Sequence, residues 1–234
     1  MERADQRELL ERGRLRVEGR VLGSSNQALL VRVTGGGAEA LACYKAERAE
    51  RALADFPPGL WRREVAAERL DELLGLDLVP TTVARLDGPL GPGSLQWWVE
   101  ATADTFFELR EDPAHRAWLV DLAAYDVVAN NADRKGGHVL DEDGRLWAID
   151  HGLCFHERDK LRTVVWDYAG EEIDQRWDER LAHLPEGLDT LRAWLSDAEV
   201  DATAARARAL ALTGRLPWPD TQREWPPPYP WPLV

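Results

Sequence analysis

Of the 29 basic residues in this chain only three are lysines: Lys45, Lys135 and Lys160. Arginine serves wherever a generic positive charge suffices, so each lysine marks a place that wants a compact ammonium on a flexible stem. Lys135 lies in "ADRKGGHVL", a glycine-rich turn between Asp133 and His138. Asp133 can orient a nucleophile or accept a proton; the structural alternative is a polar turn capping a helix. Asp150 follows the apolar run "RLWAI" seventeen residues later. Two acids flanking a hairpin, with a glycine-rich turn between them, suit a Mg²⁺-nucleotide site. Lys45 ends the strand-like run "ALACYK", on a face shared with Leu41 and Cys43. A charge at the end of an apolar face must find a partner or stay wet. It snorkels to solvent, or it pairs with an inward acid of the next helix, Glu64 or Glu68.

Other residues invite chemistry as well. His151, Cys154 and His156 stand close together, and the last two share a face if the segment is extended. Zinc accepts such ligands, which gives a metal-dependent hydrolase as one alternative, although the spacing matches no zinc template. Lys160 and Arg162 form a basic spot that could grip an anionic acceptor, or an ordinary solvated face. Trp166 and Trp177 are candidates to line an acceptor pocket.

These residues need elements to position them. "ADQRELLER" predicts a short helix stopped by Gly13. "RLRVEGRVL", "QALLVRV" and "ALACYK" predict an antiparallel meander, its connections too short for crossovers. A helical pattern follows Pro58, with Ala66, Leu70, Leu73 and Leu74 in register until Gly75. "VPTTVARL" and "SLQWWVE" predict two more strands around the loop "DGPLGPG". The remainder is mainly helical: "PAHRAWLVDLAAYDVVAN", then a hairpin at "GHVLDEDGRLWAID", then helices over about 170–182, 186–195 and 197–212. The tail from residue 217 holds seven of the 14 prolines and is neither helix nor central strand. Its aromatic side chains suit packing along the surface.

The net charge of −13 disfavours nonspecific binding to nucleic acid or anionic lipid. Two cysteines imply no disulfide framework. Neither a signal-like apolar run nor a stretch long enough to insert in a membrane is present, and the chain reads as cytoplasmic.

In its order of strand, "GSSN" loop, Lys45 strand, Glu64 helix, "NNADRKGGH", hairpin, "DHGLCFH" and "KLRTV", the chain resembles the protein kinase-like superfamily. The resemblance is to the phosphatidylinositol 3- and 4-kinase-like branch, which includes HipA-type kinases, and there to an uncharacterised bacterial group; it spans about residues 13–216. It implies an α+β, two-lobed fold with an antiparallel five-stranded N-lobe carrying one helix and a mainly helical C-lobe. The expected segments are an N-terminal helix (1–12), N-lobe (13–101), C-lobe (102–216) and surface-packed tail (217–234). The resemblance further implies ATP and Mg²⁺ as cofactors. Lys45 would hold phosphates, oriented by Glu64. Gly23, Ser24, Ser25 and Asn26 would cover the phosphates, and Trp98, Val99 and Glu100 would lie in the hinge beside the adenine. Asp133 would orient the acceptor hydroxyl and Asp150 would bind metal. Two positions depart from the lipid-kinase pattern. His138 stands where a metal-binding Asn is expected, and Lys135 replaces a His, where its ammonium could neutralise charge on a transferred phosphoryl group. The expected reaction is γ-phosphoryl transfer to a hydroxyl of a protein or small molecule. A non-catalytic nucleotide-binding module is the alternative that His138 motivates.

Overall fold

Period-two alternation in the first hundred residues becomes five strands in the computed structural model, which describes residues 1–21, 27–221 and 227–234. The strands β1 (Arg14–Arg20), β2 (Leu29–Gly35), β3 (Ala38–Ala46), β4 (Thr82–Gly88) and β5 (Gly91–Trp97) form one antiparallel sheet in the order β1-β2-β3-β5-β4. Val31 faces Ala42 across β2 and β3, and Lys45 faces Ser94 across β3 and β5. Gly36 and Gly37, at φ 55° and 81°, make the two-residue turn between β2 and β3, a backbone that side chains with a Cβ resist. Val31, Val33, Ala42, Tyr44, Val83 and Leu95 bury one face of the sheet. The helix α1 (Arg3–Arg12) closes that face with Leu9 and Leu10, each worth about 2 kcal/mol of burial. The alternate residues of β3, Cys43 and Lys45 among them, project to the opposite side.

Between β3 and β4 runs α2 (Leu60–Leu74). The Glu50 carboxylate accepts from the N–H groups of Gly59 and Trp61 at 2.9 and 2.7 Å, which satisfies orphan donors at the positive end of the helix. Gly75, at φ 60°, ends it. The short α3 (Phe106–Leu109) leads to α4 (Arg116–Ala129), the β6–β7 hairpin (Val139–Glu142 and Arg145–Ala148), α5 (Arg176–Gly187) and α6 (Asp197–Thr213). A second, larger core joins Ala66, Leu70 and Leu74 of α2 to Leu122, Trp177 and Leu210 of the helices below. Because α2 belongs to this lower core while also flanking the sheet, a side chain on its upper turn reaches β3. Among the described residues no helix is long and apolar enough to cross a membrane.

Several predicted boundaries move. The loop "DGPLGPG" is mostly strand, with β4 running to Gly88 and β5 starting at Gly91. The helix expected over 170–182 starts only at Arg176, because Gly170 is left-handed at φ 79° and the Ile173 amide donates to the Gly214 carbonyl. The helix expected at 186–195 is a 3₁₀ turn, Leu188–Ala193, that continues directly from α5. The short α3 is absent from the sequence reading because four residues carry no readable period.

Asp71 is fully buried at the C-terminal end of α2, where its carboxylate accepts from the Leu78 and Val79 amides. Burial, only partly offset by these bonds and by Arg3, pushes its pKa from 3.8 up to about 7. A carboxyl raised by folding favours the folded state where it is protonated. Its contribution is full below about pH 4 and is lost as pH rises to about 7, a change of about 4 kcal/mol. Wild type should therefore lose more stability to urea between about pH 5 and pH 8 than Asp71→Asn does. Equal pH slopes would contradict the assignment.

Candidate active site

Lys45 reaches across from β3 into α2 and the lower lobe. Its Nζ donates to a Glu64 carboxylate oxygen and, at 2.8 Å, to Oδ1 of Asp150, 105 residues away. The other Glu64 oxygen accepts the His151 amide at 3.0 Å, so one carboxylate ties the lysine to the chain after β7. Burial pushes Lys45 down, but the two carboxylates outweigh it and hold its pKa above the ordinary lysine range. Burial likewise pushes Asp150 up; Lys45, with His138 and His151, reverses this and keeps Asp150 well below the carboxylate range. The Asp150 side chain remains 37% exposed, so an anionic oxygen donor faces the space between sheet and helices. Its backbone has φ 61°, a conformation that non-glycine residues rarely adopt and that surrounding bonds must hold.

The glycine-rich turn supplies the other wall. Nε2 of His138 lies 3.2 Å from Oδ2 of Asp150, and Nδ1 accepts the Lys135 amide at 3.4 Å. That bond puts the ring proton on Nε2, facing Asp150. Burial lowers the His138 pKa to about 4, against the pull of Asp150, so the ring is neutral near pH 7. The Lys135 ammonium lies 3.5 Å from Asp133 Oδ2. Burial raises the Asp133 pKa and Lys135 opposes that rise. The structure thus brings Lys45, Glu64, Asp133, Lys135, His138 and Asp150 into one continuous chain of contacts. Trp98, Val99 and Glu100 lie in the connection that leaves β5; the Glu100 amide donates to Glu142 of the hairpin below. The loop Gly23, Ser24, Ser25, Asn26 lies outside the described residues.

Glu68, the rival to Glu64, does not reach Lys45. It is fully buried against Arg7 of α1 at 2.8 Å. Lys160 is not free to grip an anion: it donates to Asp55 at 2.7 Å and sits over the Phe56 ring. Arg162 turns inward to the Ala132 carbonyl at 2.6 Å. Trp177 is core, with its indole N–H on Asp121. The zinc arrangement is also overturned. Phe155 at φ 67° breaks the extended path, and the three side chains part. His151 bonds to Arg134, Cys154 sinks into the lower core, and His156 packs edge-on to Phe56. Among the described residues no group of three or more His, Cys, Asp or Glu side chains is gathered for a metal ion.

One network escaped the sequence reading. Arg134, fully buried, makes a two-pronged contact with Asp126 of α4, both bonds 3.0 Å, and donates to the Ile149 carbonyl at 2.7 Å. It also meets Nε2 of His151 at 2.7 Å and, at 3.5 Å, the His138 carbonyl. Asn131 and Thr163 add bonds to the same Asp126 carboxylate. The network fixes residues 149–151 and therefore the backbone of Asp150. The available signal was Asp126 itself, a lone acid in the apolar run "LAAYDVVAN". Two cavities on the helical lobe, of about 590 and 380 Å³, share no lining residue with the Lys45 cluster.

No protein-family model matches the chain. Protein Rv2133c of Mycobacterium tuberculosis (strain ATCC 25618 / H37Rv) is 35% identical to it over 274 aligned positions, which cover 98% of this chain and 96% of that protein. The chain belongs to the Rv2133c family. Solved structures extend the likeness to the fold. The Helicobacter pylori proinflammatory kinase CtkA matches 88% of this chain and 94% of its own, with TM-score 0.53 and 11% identity. The golgi casein kinase matches 92% and 79%, with TM-score 0.54 and 14% identity. Hydra Fam20 with sugar matches 89% and 87%, with TM-score 0.54 and 13% identity. The fold is therefore mixed α and β, two-lobed and kinase-like, with an antiparallel five-stranded sheet. At these identities the likeness shows fold alone.

Proposed function

We propose that this Rv2133c-family chain is a phosphotransferase that moves the γ-phosphoryl group of ATP, with Mg²⁺, to a hydroxyl. The observation that carries this reading is the Lys45 ammonium clamped between Glu64 and Asp150, with Asp133 and Lys135 at the far end of the same chain of contacts. In this reading Lys45 grips phosphate oxygens and Glu64 keeps it aimed. Asp133 orients the acceptor hydroxyl and takes up its proton; Lys135 offsets charge on the moving group. Trp98, Val99 and Glu100 flank the base, and Gly23 to Asn26 cover the phosphates. The two lobes divide near residue 101.

The donor set fits a hard divalent ion. Asp150 offers an anionic, partly exposed oxygen, and Mg²⁺ is commonly held by one or two carboxylates plus water and phosphate oxygens. His138, its Nε2 proton turned to Asp150, fits as a hydrogen-bond donor beside the ion rather than as a ligand. When bound, Mg²⁺ would neutralise phosphate charge. The finer likeness to the phosphatidylinositol 3- and 4-kinase-like branch rests on the sequence motifs. A net charge of −13 argues for a protein or soluble acceptor over an anionic lipid.

A second reading has its own observation. With no lone pair of His138 aimed at Asp150, the chain could bind nucleotide without turning it over. Calorimetry with Mg-ATP separates these. Wild type should bind in a Mg²⁺-dependent way, and Asp150→Ala should weaken binding by about tenfold or more. Binding indifferent to both would favour the non-catalytic reading. No binding at all would reject the nucleotide site.

A further inference from the structure

The turn that carries Asp133 is not bare. The Arg134 amide donates to the Arg162 carbonyl at 3.0 Å and the Val164 amide to the Arg134 carbonyl at 3.1 Å, so residues 162–164 lie alongside the turn like a strand. The other edge of this strand is taken by the chain's own segment 227–234. The Thr163 amide and the Trp166 indole N–H both donate to the Pro228 carbonyl, at 3.1 and 2.7 Å. Farther along, the Gly136 amide donates to the Leu233 carbonyl at 2.7 Å. A Cβ on Gly136 would stand 2.8 Å from the Phe107 ring, so glycine lets this part of the turn pack against Phe107, while the Leu233 carbonyl would remain at an ordinary contact distance of 3.4 Å. The segment thus crosses both stretches that flank Asp133.

Its hold is almost entirely through the main chain. Pro230 is buried, but Tyr229, Trp231, Leu233 and Val234 are exposed, Trp231 by 86%. Main-chain bonds at a strand edge do not read side chains, so any extended polypeptide can make them. The segment "PPYPWPLV" offers no Ser or Thr hydroxyl. We infer that the outer edge of residues 163–166, continued by the Gly136 amide, is a track for an extended polypeptide acceptor, and that segment 227–234 occupies it as a displaceable stand-in. The acceptor class is then a Ser or Thr hydroxyl within a peptide chain. This rests on the phosphotransferase reading for its chemistry, but not for the binding itself.

The test uses the full chain carrying Pro230→Glu, which places a charge where the segment's one buried side chain sits. The probe is a fluorescein-labelled octapeptide with the sequence of residues 227–234, followed by anisotropy. Pro230→Glu should bind it at least about tenfold more tightly than wild type, whose tethered copy competes at high effective concentration. Adding Trp166→Phe should weaken that binding by about fivefold through loss of one donor. Degenerate Ser/Thr decapeptides should displace the probe and, with Mg-ATP, be phosphorylated faster by Pro230→Glu than by wild type. If Pro230→Glu binds the probe no better while Mg-ATP binding matches wild type, the edge is not a displaceable track and the proposal falls. If the decapeptides neither compete nor accept phosphate while Mg-ATP binds, the acceptor class is wrong. Competition by decapeptides without any Mg-ATP binding supports the track and rejects the phosphotransferase reading.

Discussion

Replacing Asp133 with Asn is expected to lower phosphoryl-transfer turnover by about 10²–10⁴-fold while Mg-ATP affinity changes by less than about threefold. The reason lies in what the substitution leaves intact. Asn has the same shape, and the backbone amide at 133 keeps its bond to Asn131 Oδ1 at 3.0 Å. The Lys45, Glu64 and Asp150 contacts are untouched, because Asp133 bonds to none of them. What is lost is a proton acceptor whose basicity is raised by burial and trimmed by Lys135. The pattern should be the reverse of Asp150→Ala, which removes nucleotide affinity first. Single-turnover measurements on ATP with the degenerate peptides separate the two steps. An Asp133→Asn variant within about threefold of wild-type turnover would remove Asp133 from the mechanism.

How far the sequence could lead depended on whether an interaction was local. Lys45, Asp133 and Asp150 were legible because lysine is scarce and because each sits at the end of a strand or helix. Glu64 and Glu68 were not separable from sequence, since residues four apart share one helix face. The choice between them is made by α1, far away along the chain. Its Arg7, 61 positions before Glu68, occupies that carboxylate at 2.8 Å, and Arg3 stands 3.7 Å from the same oxygen. Only Glu64 is left to meet β3. The role of α1 was hidden in the same way: its pattern announces a helix, but not that Leu9 and Leu10 roof the sheet. Lys160 looked free because Asp55, its partner, lies 105 residues earlier. The apparent zinc triad failed on a single backbone angle at Phe155, which periodicity does not encode. The five strands and the meander of the first three were legible because two-residue turns such as Gly36-Gly37 leave little freedom in how neighbours pair, whereas the placing of β5 rather than β4 beside β3 has no such local signal.

Arg134→Met should produce the largest loss of stability in the lower lobe, about 3–5 kcal/mol. Arg134 is fully buried, and so is Asp126, its two-pronged partner. Met fills much of the same volume but leaves the Asp126 charge with only Asn131 and Thr163 for company. The Ile149 carbonyl and the Nε2 lone pair of His151 also lose their donor. A charge stranded in the interior costs far more than the pair contributes, so removing both ends should recover much of the loss. Arg134→Met with Asp126→Leu is therefore expected to be more stable in urea than Arg134→Met alone. Stability and site should then part company. The double variant still lacks the bonds that hold residues 149–151, and with them the strained backbone of Asp150 at φ 61°. Its Mg-ATP affinity should stay below wild type even where its fold has been rescued. A single variant destabilised by less than about 1 kcal/mol would show that the network is not what secures this turn. A double variant with wild-type Mg-ATP affinity would show that Asp150 keeps its place without Arg134.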